Sequence, residues 1–412
     1  MTHFHIAIVI DDQFPTSSGV SRSVQTQIEE LLKLGHRVTL LVPTADSTES
    51  SESLAIIQTP FLRVPGLPSH TSILRNNRFI VNKLCRKHKF DIIHSQTDSG
   101  ALLLAAKIAK RQHIPHIHTF HTNVAGSHDA YPILMLIGSA GVRLNAIRIS
   151  ILRRRFLARS HLKRNIPTEK TMARFDWRSQ AMIANSVDGI TTPAHYMANY
   201  INAAAEKTSI KTAVIPNSYN YAFEYYASRT ERKRKSSTLR FISIGRVVKE
   251  KRLDVMIDAF KQANIPNSEL IIVGDGPEYK RLKKYTDKNN NIKMTGHIKD
   301  KKDIFQLLRD SDVFVLTSYR FDSQAIVLAE ALVAGVPVLY CDDRLTIGVN
   351  EQNSILTKPN IYDIANGMQQ YADDSLRKKL ATGTKSVFNE LSPQVMAASY
   401  ISFYEEILAD YQ

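Results

Sequence analysis

The residues with the clearest chemical content lie in two short stretches of the second half of the chain. From Asp322 to Glu330 the sequence reads Asp-Ser-Gln-Ala-Ile-Val-Leu-Ala-Glu and runs into an apolar segment punctuated by Gly335 and Pro337. Glu330 is the only polar residue from Ile326 to Ala334, so a helix here is apolar nearly all round and must be buried. A buried carboxylate is costly unless it is paired or hydrogen-bonded, and the hydroxyls of a sugar or ribose are suitable partners. The second stretch is Gly245-Arg246, at the end of an apolar run, with Lys249, Lys251 and Arg252 following where a helix begins. Cations at a helix N-terminus oppose its dipole, so the arrangement calls for an anion. A diphosphate bridging Arg246 and Lys251 would supply it. A merely solvated charge run does not account for cations placed at a strand end.

Three other motifs are weaker alone. Gly274-Asp275-Gly276-Pro277-Glu278 follows an apolar run; its glycines allow close backbone approach, and Pro277 suits the first turn of a helix. This is turn chemistry that could also wall a base or ribose. Ser17-Ser18-Gly19-Val20-Ser21 opens a helix after the first strand, where amides could receive a phosphate or simply form an ordinary turn. His118-Thr119-Phe120-His121-Thr122 ends an interior strand. Two histidines three apart with no acidic ligand pattern do not argue for zinc. The chain lacks GxGxxG and GxxxxGK[ST], which disfavours nicotinamide or flavin sites and P-loop nucleotidases.

Something must hold these residues together, and the pattern supplies it. Short apolar runs alternate with amphipathic stretches in both halves, as in βαβ units around parallel sheets. Strands are expected near 4–11, 37–42, 55–59, 91–95, 115–119, 188–192 and 212–216, then near 240–244, 269–273, 292–295, 312–316 and 337–341. Helices are expected over Val20–Leu34 and Gly100–Arg111, and near 251–263, 277–288, 301–309 and 324–334. At 412 residues the chain exceeds one core. The expected organisation is a first domain over 1–218, a linker over 219–238 containing Arg232-Lys233-Arg234-Lys235, a second domain over 239–391 and a last helix over 392–412. Two distant cysteines, Cys85 and Cys341, offer no disulfide framework and fit a reducing compartment. The start, Phe4 to Ile10, reads as a buried strand rather than a signal peptide, and no run looks long enough to span a bilayer.

The formal charge of +15 is uneven: residues 1–218 hold 26 Lys+Arg against 14 Asp+Glu, the remainder 28 against 25. Residues 143–174 alone carry ten bases and one acid. Arg148, Arg153, Arg154, Arg155, Arg159, Lys163 and Arg164 are interleaved there with Leu144, Ile147, Ile151, Leu152 and Phe156, just after the apolar run Tyr131–Val142. An apolar face flanked by arginines suits an anionic membrane interface. Interleaved aliphatics and few aromatics favour lipid over nucleic acid.

Taken in order, Gly19-Val20-Ser21, His121, Gly245-Arg246…Lys251, Gly274-Asp275-Gly276-Pro277-Glu278 and Asp322…Glu330 resemble the family 4 retaining glycosyltransferases, over nearly the whole chain. The resemblance implies the α/β architecture called GT-B, two Rossmann-like domains with parallel sheets facing across a cleft, and a last helix that crosses back to the first domain. It implies a nucleotide-sugar donor, retention of configuration and no metal or other cofactor. Arg246 and Lys251 would neutralise the leaving diphosphate, Glu330 would hold the ribose and Asp322 the hexose. His121 would sit beside the reacting centre. The Gly19 loop with Val20, the glycines Gly274 and Gly276, and the backbone around Ser323, Gln324, Ala325 and Ile326 would line the donor.

Within the family, the Gly19 and His121 segments look most like bacterial diacylglycerol glycosyltransferases. That implies a hexosyltransferase moving glucose from UDP-glucose to a lipid, bound peripherally to the cytoplasmic face of the cell membrane. The alternatives are a transferase to cell-wall, teichoic-acid or capsular polysaccharide and a non-catalytic partner subunit. The chain departs from the family pattern at Asp322, usually glutamate, and at Ala325 and Ser354, usually glycine. At these positions donor choice or turnover would change.

Overall fold

The computed structural model describes residues 3–16, 18–46, 51–63, 72–128, 131–156, 170–205, 210–234 and 237–411. They form two compact units, Met1–Pro216 with Met396–Gln412, and Asn217–Val395.

The first unit contains β1 (His5–Val9), β2 (Arg37–Val42), β3 (Leu54–Gln58), a short antiparallel pair β4 (Phe61–Leu62) and β5 (Ile73–Leu74), then β6 (Ile92–Ser95), β7 (His116–Thr119), β8 (Gly189–Thr192) and β9 (Thr212–Val214). Its main sheet runs β3-β2-β1-β6-β7-β8-β9, with parallel pairing throughout. Strands β6, β7 and β8 are buried along their whole length. A sheet covered on both faces explains why they read as short unbroken runs and not as alternating ones. The connecting helices are α1 (Gly19–Lys33), α2 (Arg78–Lys87), α3 (Gly100–Gln112), α4 (Pro132–Arg153), α5 (Thr171–Asn185) and α6 (His195–Ala204). Ile6 and Ile8 pack with α1, whereas Ala7 and Val9 pack with α2 and α3, as the pleat of β1 requires.

The second unit begins with α7 (Tyr221–Ala227) and continues through β10 (Leu239–Ile244), α8 (Leu253–Ala263), β11 (Ser268–Val273), α9 (Tyr279–Thr286), β12 (Ile292–Gly296), α10 (Lys301–Arg309), β13 (Val313–Leu316), α11 (Ile326–Val333), β14 (Val338–Tyr340), β15 (Ser354–Leu356), α12 (Ile361–Gln370), α13 (Asp374–Gly383) and α14 (Ser386–Glu390). Its sheet order is β12-β11-β10-β13-β14-β15. Ile242 and Phe314 face α10 and α11, and Phe241 and Val313 face α8 and α12. The final helix α15 (Pro393–Tyr411) belongs to the first unit from Met396 onward. There Met396, Tyr400, Phe403, Tyr404 and Ile407 enter the core beneath β1. Gly189 permits that approach: a Cβ at this position would lie 2.7 Å from Ile407 Cδ1.

Two expectations need correction. Residues 219–238 are not a free linker. Tyr219 and Phe223 are buried in the second unit, Tyr219 donates to the Phe388 carbonyl at 3.0 Å, and Arg232 and Arg234 both pair with Asp312. Helix α7 is too short for a periodicity to show. The apolar run Tyr131–Val142 does not stop short either. It belongs to the 22-residue helix α4, of which Leu134–Arg153 is long and apolar enough, by length and composition, to cross a membrane. One face of α4 is nevertheless committed to the protein, since Ala146 and Ile149 are buried beside Trp177 and Ala181 of α5. The sequence reading also missed β4, β5 and β15.

Candidate functional site

In the second unit the strand order reverses between β10 and β13. Loops at the carboxyl ends of strands on either side of such a reversal form a crevice suited to a ligand. The loop after β10 carries Arg246 and Lys251, and the loop after β13 carries Asp322. The fold brings these two loops together: Lys251 Nζ donates to Asp322 Oδ1 at 2.7 Å. Ser318 donates to the other oxygen of Asp322. Burial acts to raise the Asp322 pKa, but Lys251, Ser318 and Arg246 outweigh it and hold the carboxyl below its ordinary value. Thr317 fastens the β10 loop to β13 by donating to the carbonyls of Lys251 (2.9 Å) and Arg252 (3.1 Å).

The remaining cations differ in their freedom. Arg246 is 60 % exposed and lies 3.6 Å from Glu250. Arg252 is taken up by the fold: it donates to the Pro359 carbonyl at 2.7 Å and to that of Thr317 at 3.4 Å. Of the cations after β10, Arg246 is thus left exposed and Lys251 is held by Asp322. A diphosphate would compete with Asp322 for Lys251.

Glu330 sits on α11 and is 4 % exposed. The Gln324 side chain is used structurally, accepting from the Asn217 amide at 2.6 Å and donating to the Asn217 carbonyl at 3.1 Å. The backbone of Ser323 to Ile326 remains the part of this segment suited to a ligand. Ala325 caps α11 without a side-chain hydrogen bond, and the first amides of any helix lack intrahelical acceptors. The family departures are accommodated locally. Ala325 has φ −80° and buries its methyl in the core, so nothing in the fold demands glycine there. Ser354 donates to the Asn350 carbonyl at 2.6 Å.

Gly274 and Gly276 make their close approach to the chain itself. A Cβ on Gly274 would stand 1.8 Å from the Gly245 carbonyl oxygen, and one on Gly276 2.4 Å from that of Val247. The two loops are further joined by Val247 N–H to the Asp275 carbonyl at 2.9 Å and Glu278 N–H to the Val247 carbonyl at 3.1 Å. These glycines thus fix where Arg246 emerges. The sequence reading missed Asp342 at the end of β14, 1 % exposed, which accepts from Arg344 (2.9 and 3.0 Å) and from the Arg320 amide (2.6 Å). An Asp two residues before an Arg at a strand end was the available signal.

In the first unit the order reverses between β1 and β6. Asp11, 1 % exposed, follows β1 and accepts from Leu74 N–H (2.8 Å), Ala101 N–H (3.1 Å) and Thr97 Oγ1 (2.7 Å). Burial pushes its pKa up to about 6 despite these bonds. The N-terminus of α1, with Gly19 and Val20, is capped by Ser18, whose hydroxyl donates to Asp12 at 2.6 Å. A carboxylate therefore already neighbours this end. His121 follows β7, is 9 % exposed and meets Gln96 Oε1 through Nε2 at 2.8 Å. Burial, reinforced by His118, pushes its pKa down to about 3. His94 and His116 are likewise held well below the ordinary histidine value, chiefly by burial.

These shifts fix the sign of a pH effect. Each such histidine takes a proton near 6.5 when unfolded but only far lower in the fold, so its contribution is present above 6.5 and lost as pH falls. Asp11 acts oppositely, its folded form taking a proton near 6 that the unfolded chain takes near 3.8. Melting temperature should therefore fall with growing steepness as pH drops below 6.5, with proton uptake by Asp11 near 6 offsetting part of the fall. His121→Asn should flatten the slope by about 1.4 kcal/mol per pH unit; an unchanged slope would contradict the assignment.

The arginines expected at a membrane divide. Arg153 is 8 % exposed and pairs with Asp188 at 2.8 Å. Arg155 pairs with the same carboxylate at 2.7 Å and donates to the Val187 carbonyl. Arg153 is turned to the protein and Arg155, still 40 % exposed, is tied to it at Asp188, which also accepts from the His116 amide. Arg148 and Arg154 are exposed. Arg159, Lys163 and Arg164 lie outside the described residues.

The chain matches two glycosyltransferase families, the one described as Glycosyltransferase Family 4 over residues 17–223 and the one described as Glycosyl transferases group 1 over residues 227–387. It is 25% identical over 345 residues to the alpha-monoglucosyldiacylglycerol synthase of Acholeplasma laidlawii, covering 81% of this chain and 79% of that one. Among solved structures, a glycosyltransferase from Rickettsia africae ESF-5 superposes with a TM-score of 0.69 at 14% identity, over 99% of each chain. Anabaena HepE, in complex with UDP and glucose, gives 0.66 at 15%, over 98% of this chain and 100% of that one. These folds are of the GT-B kind. With its sequence matched over both units and its two parallel Rossmann-like sheets, the chain belongs to glycosyltransferase family 4 and is a glycosyltransferase.

Proposed function

We propose that the chain moves glucose from UDP-glucose, with retention of anomeric configuration, to a diacylglycerol-type lipid while lying on an anionic membrane surface. The observation that carries the lipid part is the outward face of α4. Ile137 (72 % exposed), Leu144 (45 %), Ile147 (42 %) and Ile151 (59 %) recur at helical spacing on it, and Phe156 (68 %) follows. Arg148 and Arg154 are exposed beside them. A long apolar stripe facing outward, flanked by cations, is a poor solvent face and a good interfacial one. Because the other face of α4 is packed, the helix would lie on the bilayer rather than cross it. The product named for the Acholeplasma relative, a glucosylated diacylglycerol, and the UDP and glucose named for the Anabaena structure support the same substrates.

In this reading Arg246 and Lys251 take up the charge of the departing diphosphate, so the donor calls on no metal or other cofactor. Asp322 accepts from a hexose hydroxyl, Glu330 from the ribose, and His121 borders the reacting carbon. The Gly19 loop, Gly274, Gly276 and the amides of Ser323 to Ile326 line the donor. The enzyme would work on the cytoplasmic face of the membrane. The test is incubation with UDP-[14C]glucose and vesicles of diacylglycerol and anionic phospholipid: label should enter the lipid phase. Label passing only to a soluble polysaccharide, or to nothing, would reject the lipid acceptor. Ile137→Asp with Ile151→Asp should lower the vesicle-bound fraction in flotation by about tenfold or more and leave UDP binding intact. Equal flotation would remove α4 from the account.

A further inference from the structure

At the centre of the first unit lie polar side chains that glycosyl transfer does not call for. His121 Nε2 meets Gln96 Oε1 at 2.8 Å, and Gln96 Nε2 donates to Gln27 Oε1 at 2.5 Å. Gln27 Nε2 donates to Tyr404 Oη at 3.0 Å. Tyr404 Oη meets His94 Nδ1 at 2.7 Å, and His94 Nε2 meets Thr119 Oγ1 at 2.6 Å. Thr119 then meets Thr191. Gln27, Gln96, His94 and Tyr404 are each 0 % exposed. The row joins the end of β7 to α1, β6, β8 and α15, elements far apart in sequence.

Apolar side chains would fill this space at less cost than seven buried polar ones. What a continuous row adds is direction. An amide oxygen can only accept and an amide nitrogen only donate, so each glutamine passes on the polarity it receives. Reversing the His121–Gln96 bond would require turning both glutamines, with Tyr404 then donating to Gln27. With the two amides oriented as they are, the proton of His121 is on Nε2 and its lone pair on Nδ1.

We propose that Gln96, Gln27 and Tyr404 are positioning residues that lock His121 in the Nε2-protonated tautomer, so that its Nδ1 accepts a hydrogen bond from a hydroxyl of the bound sugar or acceptor. The substrate contact rests on the reading that His121 borders the reacting centre; the lock itself does not. Burial keeps the ring neutral, with a pKa of about 3, so the row selects a tautomer and not a charge. The C-terminal helix α15 thereby supplies, through Tyr404, a group that acts on the site without touching substrate.

The test is long-range 1H–15N NMR of the full chain labelled at histidine, with the His121 signals identified by their loss in His121→Asn. The wild type should show a protonated Nε2 and a bare Nδ1. Tyr404→Phe and Gln27→Met should each give a tautomer mixture, with kcat down about tenfold and donor KM little changed. A purely structural role would instead move the melting temperature and leave the tautomer fixed. A wild-type ring protonated on Nδ1, or one averaging between tautomers, overturns the lock, and this reading needs no variant to fold. A fixed Nε2–H form together with wild-type turnover in His121→Asn would leave the lock standing and overturn the substrate contact.

Discussion

Lys251→Ala is expected to lower the transfer rate by about 10²–10³-fold, the largest catalytic loss in this account. A departing nucleoside diphosphate gains charge as the glycosidic bond breaks, and Lys251 emerges at the strand reversal where that charge would be met. The substitution has a second consequence. Asp322 is 12 % exposed and Lys251 19 %, so the variant leaves a mostly buried carboxylate without its ion-pair partner, though Ser318 and Arg246 still act on it. A melt should show a loss of about 2–3 kcal/mol. Lys251→Ala with Asp322→Asn should recover much of that stability and none of the rate. If the double variant regains turnover, the charge of Lys251 does not act on the donor.

Gly274→Ala is expected to destabilise the second unit by about 3 kcal/mol or more. The φ of Gly274 is +139°, in a region closed to side chains, and the added Cβ would stand 1.8 Å from the Gly245 oxygen. That atom is backbone and cannot swing aside, so the β10 and β11 loops must part. Arg246 moves with them, and donor binding should fall too. Gly19→Ala is the contrast, because a Cβ there meets nothing within 4 Å. Denaturant unfolding should show the second-unit transition lost or shifted in Gly274→Ala and unmoved in Gly19→Ala. Reduced transfer by a fully stable Gly19→Ala would then report a ligand approaching that loop.

The sequence carried the strands well because a parallel sheet covered on both faces turns each strand into a short apolar block, as in Leu239–Ile244 and Ser268–Val273. Arg246, Lys251 and Asp322 stood out as charge beyond the ends of such blocks, and Glu330 as the one polar residue in an apolar helix. The sequence could not show that Lys251 and Asp322, 71 residues apart, are partners, since strand order decides which loops meet. Nor could it show that Arg153 and Arg155 share Asp188. Arginines in a basic run look alike until a carboxylate from another loop selects among them. Residues 219–238 looked like a linker because seven helical residues set no period, although Tyr219 and Phe223 were apolar enough to suggest burial. Gln27, Gln96 and Tyr404 were invisible for a different reason: a buried hydrogen-bonded row leaves no trace in composition or spacing.

The most direct test of the donor site is calorimetric titration of UDP into the full chain and into Lys251→Ala. The account predicts one UDP per chain for the wild type, and binding weaker by about 10-fold or more in the variant, the loss of about 1.5–3 kcal/mol expected for a charge-assisted hydrogen bond. The Ile137→Asp, Ile151→Asp protein should bind as the wild type does. Equal affinity in Lys251→Ala, or no binding by the wild type, would contradict it.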